Sequence, residues 1–409
     1  MNLHLNDKTI LDYAKKITSK YNLCNHCLGR VFGKIEHGLS NKERGEFLRN
    51  KIEISKDIKI NNCWLCHGLF NEIDHFSELI YQVLKDYEFK SFLIGSKIDE
   101  DIIDREKKLL DDMGDEYSEQ FKTEVNREIG KILEMETGKI VDFDNPDIMV
   151  IIDTAFDNIK LQISSLFIYG RYNKYVRDLP QTIWHCRYCR GRGCRNCNYS
   201  GKLYDSSIQE LLSEYFLKLT HGSDTAFHGS GREDIDVLML GNGRPFVLEI
   251  KNPKIRNIDL SKIESDINSL KKNIIKVSNL RFSNRDEIVR IKNSSFNKVY
   301  RVVVLLEKHI NIEKLKKASL SLRDKSISQF TPSRVAHRRA NMVRERQIYS
   351  CNINSLKNNI ATIEIEAESG TYIKELISSD DGRTRPSLSE ITGIPCKVIE
   401  LDVLEIKGE

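Results

Sequence analysis

Eight of the ten cysteines fall in four Cys-x-x-Cys pairs, and no other feature restricts the fold of this chain so strongly. The pairs are Cys24/Cys27, Cys63/Cys66, Cys186/Cys189 and Cys194/Cys197, while Cys351 and Cys396 stand alone. A two-residue gap lets both thiolates reach one tetrahedral ion at about 2.3 Å from each sulfur. Four such pairs therefore predict two structural four-cysteine zinc sites, and a redox dithiol explains them poorly. His26 and His67 lie in or beside the first knuckles as bystanders. Between the last two pairs the gap Arg190-Gly191-Arg192-Gly193 supplies the glycine that so tight a return requires. Spacing leaves open which pairs share an ion, since knuckles distant in sequence can close on each other.

With 409 residues the chain has room for more than one core. Its net charge is only +4, so basicity matters where it clusters, above all in "TPSRVAHRRANMVRER", Thr331 to Arg346. Five arginines with His337 and one acid suit phosphate contact slightly better than a solvated helix face. No stretch is apolar enough to span a bilayer and the start lacks a signal-peptide pattern, so the expectation is a cytoplasmic protein without a membrane partner. No obligate protein partner is evident.

The pattern predicts a multidomain α+β protein: a zinc-binding segment over 1–70, an RNA-binding module over 71–183, a second four-cysteine knuckle over 184–204, and a domain with a mixed, largely antiparallel sheet over 205–409. In the second segment, "SFLIGSKI" reads as a strand, Asp101 to Glu136 as a long helical stretch, and "DIMVIIDTAFDNIKLQI" as two strands. "GRYNKYVRDLPQTIW" alternates Arg171, Lys174 and Arg177 with Tyr172 and Tyr175, which suits an RNA surface or an amphipathic edge. In the last segment Ser207 and Glu210 form a capping box ahead of a helix.

"GREDIDVLMLGNGRPFVLEIKNPK", Gly231 to Lys254, holds two rival sets of acids. A hairpin turning at Asn242-Gly243 would bring Asp236 near Glu249 and Lys251, the residue types with which a metal-dependent nuclease holds a hard cation and polarises a phosphate. Alternatively Asp234 acts without metal as a nucleophile or general base, with a cation nearby to keep it ionised.

Several stretches together resemble one family, the archaeal-type tRNA pseudouridine synthases that carry an N-terminal zinc and THUMP region and modify T-loop uridines 54 and 55. They are "GREDIDVLMLGNGRPFVLEI", "KVYR", "TPSRVAHRRANMVRER", "SGTYIKELI", "DDGRTRPSLSEITG", "GRYNKYVRDLPQTIWHC" and both cysteine clusters, in the right order over nearly the whole chain. The resemblance implies a THUMP-like module over 71–183, a pseudouridine synthase domain over 205–409, tRNA as partner, structural zinc and no catalytic cofactor. It implies Asp234 as the catalytic aspartate in an Arg-x-Asp setting with Arg232. Tyr300 would be the base-stacking tyrosine, Lys374 the basic partner of Asp234, and Leu376 the apolar position under the base. Tyr372 would contact substrate, and Arg334, His337, Arg338 and Arg339 the RNA. The related bacterial T-loop enzyme has Arg where this chain has Lys374, and Lys offers charge without a bidentate fork. A third reading is a non-catalytic RNA-binding protein. Isomerised uridine without strand cleavage and without added Mg²⁺ separates the synthase reading from the other two.

Overall fold

The structure, a computed structural model, describes residues 4–53, 59–337 and 339–408. It divides into two compact units, Met1–Ser164 with Asn252–Asn257, and Ser165–Lys251 with Ile258–Glu409. None of the described helices is long and apolar enough to cross a membrane.

The first unit opens with three helices, Lys8–Lys20 (α1), Asn25–Val31 (α2) and Asn41–Lys51 (α3). A fourth, Ile73–Leu84 (α4), precedes a sheet built from Ser91–Lys97 (β1), Ile140–Val141 (β2), Ile148–Asp153 (β3) and Asn158–Ile163 (β4) in the order β2-β1-β3-β4. Apolar residues alternate along β3, so Ile148, Val150 and Ile152 face the core with Phe121, Val125 and Ile129. The charged stretch from Asp101 forms two helices, Glu100–Met113 (α5) and Phe121–Thr137 (α6), because Gly114 ends the first at φ +83°.

The second unit is a ten-stranded sheet. Its strands are Leu166–Lys174 (β5), Asp224–Gly229 (β6), Leu238–Lys251 (β7), Ile275–Ser283 (β8), Lys298–Leu306 (β9), Lys325–Phe330 (β10), Val343–Lys357 (β11), Ile360–Ala367 (β12), Thr384–Arg385 (β13) and Cys396–Ile406 (β14). The order is β13-β10-β11-β12-β9-β14-β7-β5-β8, with β6 also on β7. Every pairing is antiparallel except the short contact of β14 with β7, which gives the mixed, largely antiparallel sheet that the strand pattern predicts. Ser207 accepts from the Glu210 N–H and starts the helix Ile208–Thr220, whose Ile208, Leu212 and Phe216 enter the core.

Two expectations change here. The strand β5 belongs to this sheet, between β7 and β8, so residues 165–183 lie in the second unit rather than closing the first. Asn242-Gly243 is a bulge within β7 and not a hairpin turn. Tyr172 pairs with Arg244 and Lys174 with Met239, so a two-residue step along β5 meets a five-residue step along β7. Gly241, at φ +56°, lies where a Cβ would come within 1.8 Å of the Leu404 carbonyl oxygen. The Asn242 amide bonds the Ile406 backbone in both directions, at 3.0 and 3.2 Å. The turn chemistry thus anchors β7 on β14, and the reversal falls earlier, at the loop between β6 and β7 that carries Asp234.

Candidate active site

The loop 230–237 is held from below by side chains that sequence pattern placed elsewhere. Tyr172 and Lys174 are 0% and 1% exposed, and Arg171 is also buried. The Lys174 ammonium donates to the carbonyls of Leu179 and Ile235, both at 3.0 Å, and reaches that of Asp234 at 3.5 Å. Arg177 donates to the Asp236 carbonyl at 2.6 Å and to the Asp402 carboxylate at 2.9 Å. Arg171 holds the bulge through the carbonyls of Asn242 and Gly243. A strand flanked on both edges turns its cations to backbone acceptors, so Arg171 and Lys174 offer no RNA surface. The side chain of Glu233, beside the catalytic candidate, is buried too. It accepts from Arg244 Nε at 2.8 Å and from the Tyr172 hydroxyl at 3.0 Å.

Above this scaffold Asp234 stays partly exposed. Arg334 Nη1 lies 2.9 Å from its Oδ2 and Lys374 Nζ 3.8 Å. Lys374 is closer to Asp236, at 2.8 Å. Arg334 is oriented by Glu375, which takes its Nε at 2.7 Å and its Nη2 at 3.4 Å. That fork leaves Nη1 free to face Asp234. Arg334 comes from the short 3₁₀ helix Ser333–Val335 ahead of β11, so the described part of the arginine-rich stretch holds no α-helix and ends in a strand. Arg232 lies over Trp184, with its guanidinium 5.5 Å from the centre of the ring.

A cavity of about 750 Å³ adjoins Asp234, with Tyr300, Tyr372, Lys298 and Arg244 in its walls and Arg339, Arg344 and Arg346 among its lining residues. Burial pushes the Tyr300 phenol up to about 12. Burial, with repulsion from Arg244, pulls the Lys298 ammonium down to about 8. Apolar lining comes from Val237, Val335, Ile373, Leu401 and Val403. Leu376 is wholly buried in the core and does not reach the cavity, because it lies on the inward face of the helix Ile373–Ser378. His337 is exposed and outside the lining, and Arg338 falls outside the described residues. Sequence reading missed Glu233, Arg244, Glu375 and the role of Arg334 as nearest cation; no spacing signal joins Arg334 to Asp234 across 100 residues.

The acids of the nuclease reading are occupied separately. Asp236 pairs with Lys374, Glu249 with His228 and Ser165, and Lys251 with Asp224. Among the described residues only two groups bring together enough metal-binding side chains, Cys24/Cys27/Cys63/Cys66 and Cys186/Cys189/Cys194/Cys197. This resolves the pairing of the knuckles. Sulfur separations of 3.8 Å for Cys24–Cys66 and 3.9, 3.8 and 3.7 Å in the second group match the tetrahedral edge of about 3.8 Å that follows from bonds of about 2.3 Å. They are far too long for disulfides. Backbone N–H groups of Cys24, Gly193 and Gly201 donate to sulfurs of Cys63, Cys189 and Cys197, as suits thiolate ligands. Gly193 takes φ +86°, the left-handed conformation the tight return required. His26 instead stacks on Phe70 and bonds Glu124.

Residues 167–407 match the family model described as "Pus10, C-terminal" and residues 76–153 the one described as "Pus10 THUMP domain, archaeal". The chain is 43% identical to the tRNA pseudouridine synthase Pus10 of Methanothermobacter marburgensis, covering 97% of this chain and 98% of the relative. It is 42% identical to that of Methanocaldococcus jannaschii, over 97% and 94%, and 38% identical to that of Halorubrum lacusprofundi, over 98% and 97%. With one family model spanning more than half of its length and such relatives matching end to end, this chain belongs to the Pus10 family.

Proposed function

We propose that this protein is a tRNA pseudouridine synthase that isomerises T-loop uridine at position 54, 55 or both, with Asp234 as the reacting carboxylate. The observation that carries the reading is Asp234 itself, partly exposed at the edge of a cavity, 2.9 Å from an oriented guanidinium. The full-length likeness to the Pus10 relatives supports the substrate class. Isomerisation breaks the N1–C1′ bond and rejoins the ring through C5 without net hydrolysis or redox change. It therefore needs an ionised carboxylate, a cation to hold it so, and an aromatic face. Asp234, Arg334 and Tyr300 supply these. A uridine inside a folded loop must be flipped out to reach them, and Arg339, Arg344 and Arg346 suit the phosphates of the displaced strand. The test is an unmodified T-arm transcript mapped nucleotide by nucleotide, without Mg²⁺. Strand cleavage, or uridine left unchanged, overturns the reading.

Arg334 rather than Lys374 is the principal partner of Asp234 in this proposal. Arg334→Met is expected to lower single-turnover rate by about 10²-fold, the order seen when one oriented donor is lost. Arg334→Lys should recover little, since an ammonium cannot hold the Glu375 fork and face Asp234 together. Lys374→Met should cost about tenfold or less. A larger loss for Lys374→Met than for Arg334→Met reverses the assignment.

Both cysteine groups are proposed to hold structural zinc. They are closed four-thiolate sites without an open position, so they fold the chain and take no part in the reaction. Metal analysis of pure protein is expected to approach two zinc ions per chain, and Cys24→Ser and Cys186→Ser each to lose one and to lower the Tm. One ion in the wild type, or full stability in both variants, counts against this.

A further inference from the structure

Asp234, Arg334 and Lys374 line two cavities, and the second has no occupant in the reaction proposed above. It measures about 230 Å³ and is lined by Pro180, Thr182, Trp184 and Asp236, together with residues it shares with the larger cavity, among them Arg232 and Asp234. We infer that this smaller cavity is a subsite for the base of a nucleotide next to the target, stacked on Trp184. The inference rests on the proposed function. A uridine in the larger cavity has its sugar at Asp234, so the nucleotide one phosphodiester away leaves beside the same loop.

The chemistry of the two cavities differs in a way that sorts base from phosphate. The larger is lined by Arg339, Arg344 and Arg346. In the smaller, Arg334 and Lys374 are engaged by Asp234, Glu375 and Asp236, so its open chemistry is the flat surfaces of Pro180 and Trp184 with Arg232 over the latter. Its volume admits one planar base and no base pair. Trp184 is also braced. The Tyr204 ring meets it edge-on at 5.6 Å and 76°, its carbonyl accepts from Leu203 N–H at 2.8 Å, and His185 bridges to Lys202. The ring is thereby mounted on the base of the second cysteine cluster, two residues before Cys186. Arg232 is exposed and, among the described residues, pairs with no carboxylate. It can leave the Trp184 face when a base enters, exchanging a cation–π contact for an aromatic stack, which is tolerant of base identity.

A cycle between protein and RNA tests this. Full-length, zinc-loaded wild type, Trp184→Ala and Trp184→Phe are titrated with T-arm RNA that is intact, or abasic immediately 5′ or immediately 3′ of the target uridine. Trp184→Ala should weaken binding of intact RNA about tenfold. One of the two abasic RNAs should lose the same factor on the wild type and nothing further on Trp184→Ala, and Trp184→Phe should restore most of the loss. Equal weakening on all three RNAs, or none, overturns the subsite. A second readout does not depend on how Trp184→Ala folds. The chain has two tryptophans, so Trp64→Phe leaves Trp184 as the sole indole. Its fluorescence should be quenched by intact RNA and spared by the RNA abasic at the relevant flank; emission indifferent to that base overturns the inference. Wild type that isomerises no T-arm uridine would sink the proposed function itself, whereas isomerisation without coupling to Trp184 sinks only this subsite.

Discussion

Asp234→Asn is expected to lower turnover by at least on the order of 10⁴-fold while RNA affinity changes less than about twofold. Asn keeps the shape of the side chain but can neither attack a sugar or ring carbon nor accept a proton as a carboxylate does. The loop should stay in place, because what holds it does not involve the Asp234 side chain. Lys174 and Arg177 grip the backbone carbonyls of residues 234 to 236, and Glu233 is locked by Arg244 and Tyr172. Arg334 keeps its fork on Glu375. Single-turnover assays with nucleotide mapping, beside a binding titration, measure both quantities. If Asp234→Asn turns over normally and Asp236→Asn does not, the reacting acid is Asp236 and its partner is Lys374, 2.8 Å away.

What could be read from the sequence is what neighbouring residues decide among themselves. The stretch "DIMVIIDTAFDNIKLQI" forms the two strands its apolar pattern predicts, β3 and β4, and the Ser207 cap starts its helix where expected. The cysteine pairs assemble as two four-sulfur groups because the chemistry of a shared ion is stamped into a two-residue gap. Asn242-Gly243 shows where such local logic stops. The same dipeptide suits a hairpin and a bulge, and the nearby β14 backbone decides between them. The cations of β5 show it again. Alternation with tyrosines looks alike whether a strand lies at an edge or between two others, and only the pairing with β7 and β8 turns Lys174 inward. The cation facing Asp234 was harder still. Lys374 stands in a stretch whose likeness to the bacterial enzyme marks it out, yet the 3₁₀ helix Ser333–Val335 brings Arg334 closer to Asp234, and Glu375 aims it.

Glu233→Gln is expected to fail in the opposite way from its neighbour, losing stability before chemistry. The side chains of Glu233 and Arg244 are 2% and 1% exposed and 2.8 Å apart. Arg244 also donates to the Ser230 carbonyl at 2.8 Å, at the start of the Asp234 loop. A neutral amide in place of the carboxylate leaves the guanidinium buried without a counter-charge, which costs about 3–5 kcal/mol. The phenol of Tyr172, donated to both carboxylate oxygens, loses its charged acceptor as well. Chemical denaturation should show this loss in Glu233→Gln and a similar one in Arg244→Met. The double variant should be less destabilised than the sum of the two, since no lone buried charge remains. Turnover measured well below the midpoint separates scaffold from chemistry: in Glu233→Gln it should fall in step with the displaced loop and rise again when low temperature or bound RNA favours the native state. In Asp234→Asn it should stay lost under every such condition. A Glu233→Gln protein as stable as the wild type would mean that water reaches the pair, and that the loop owes its place to Lys174 and Arg177 alone.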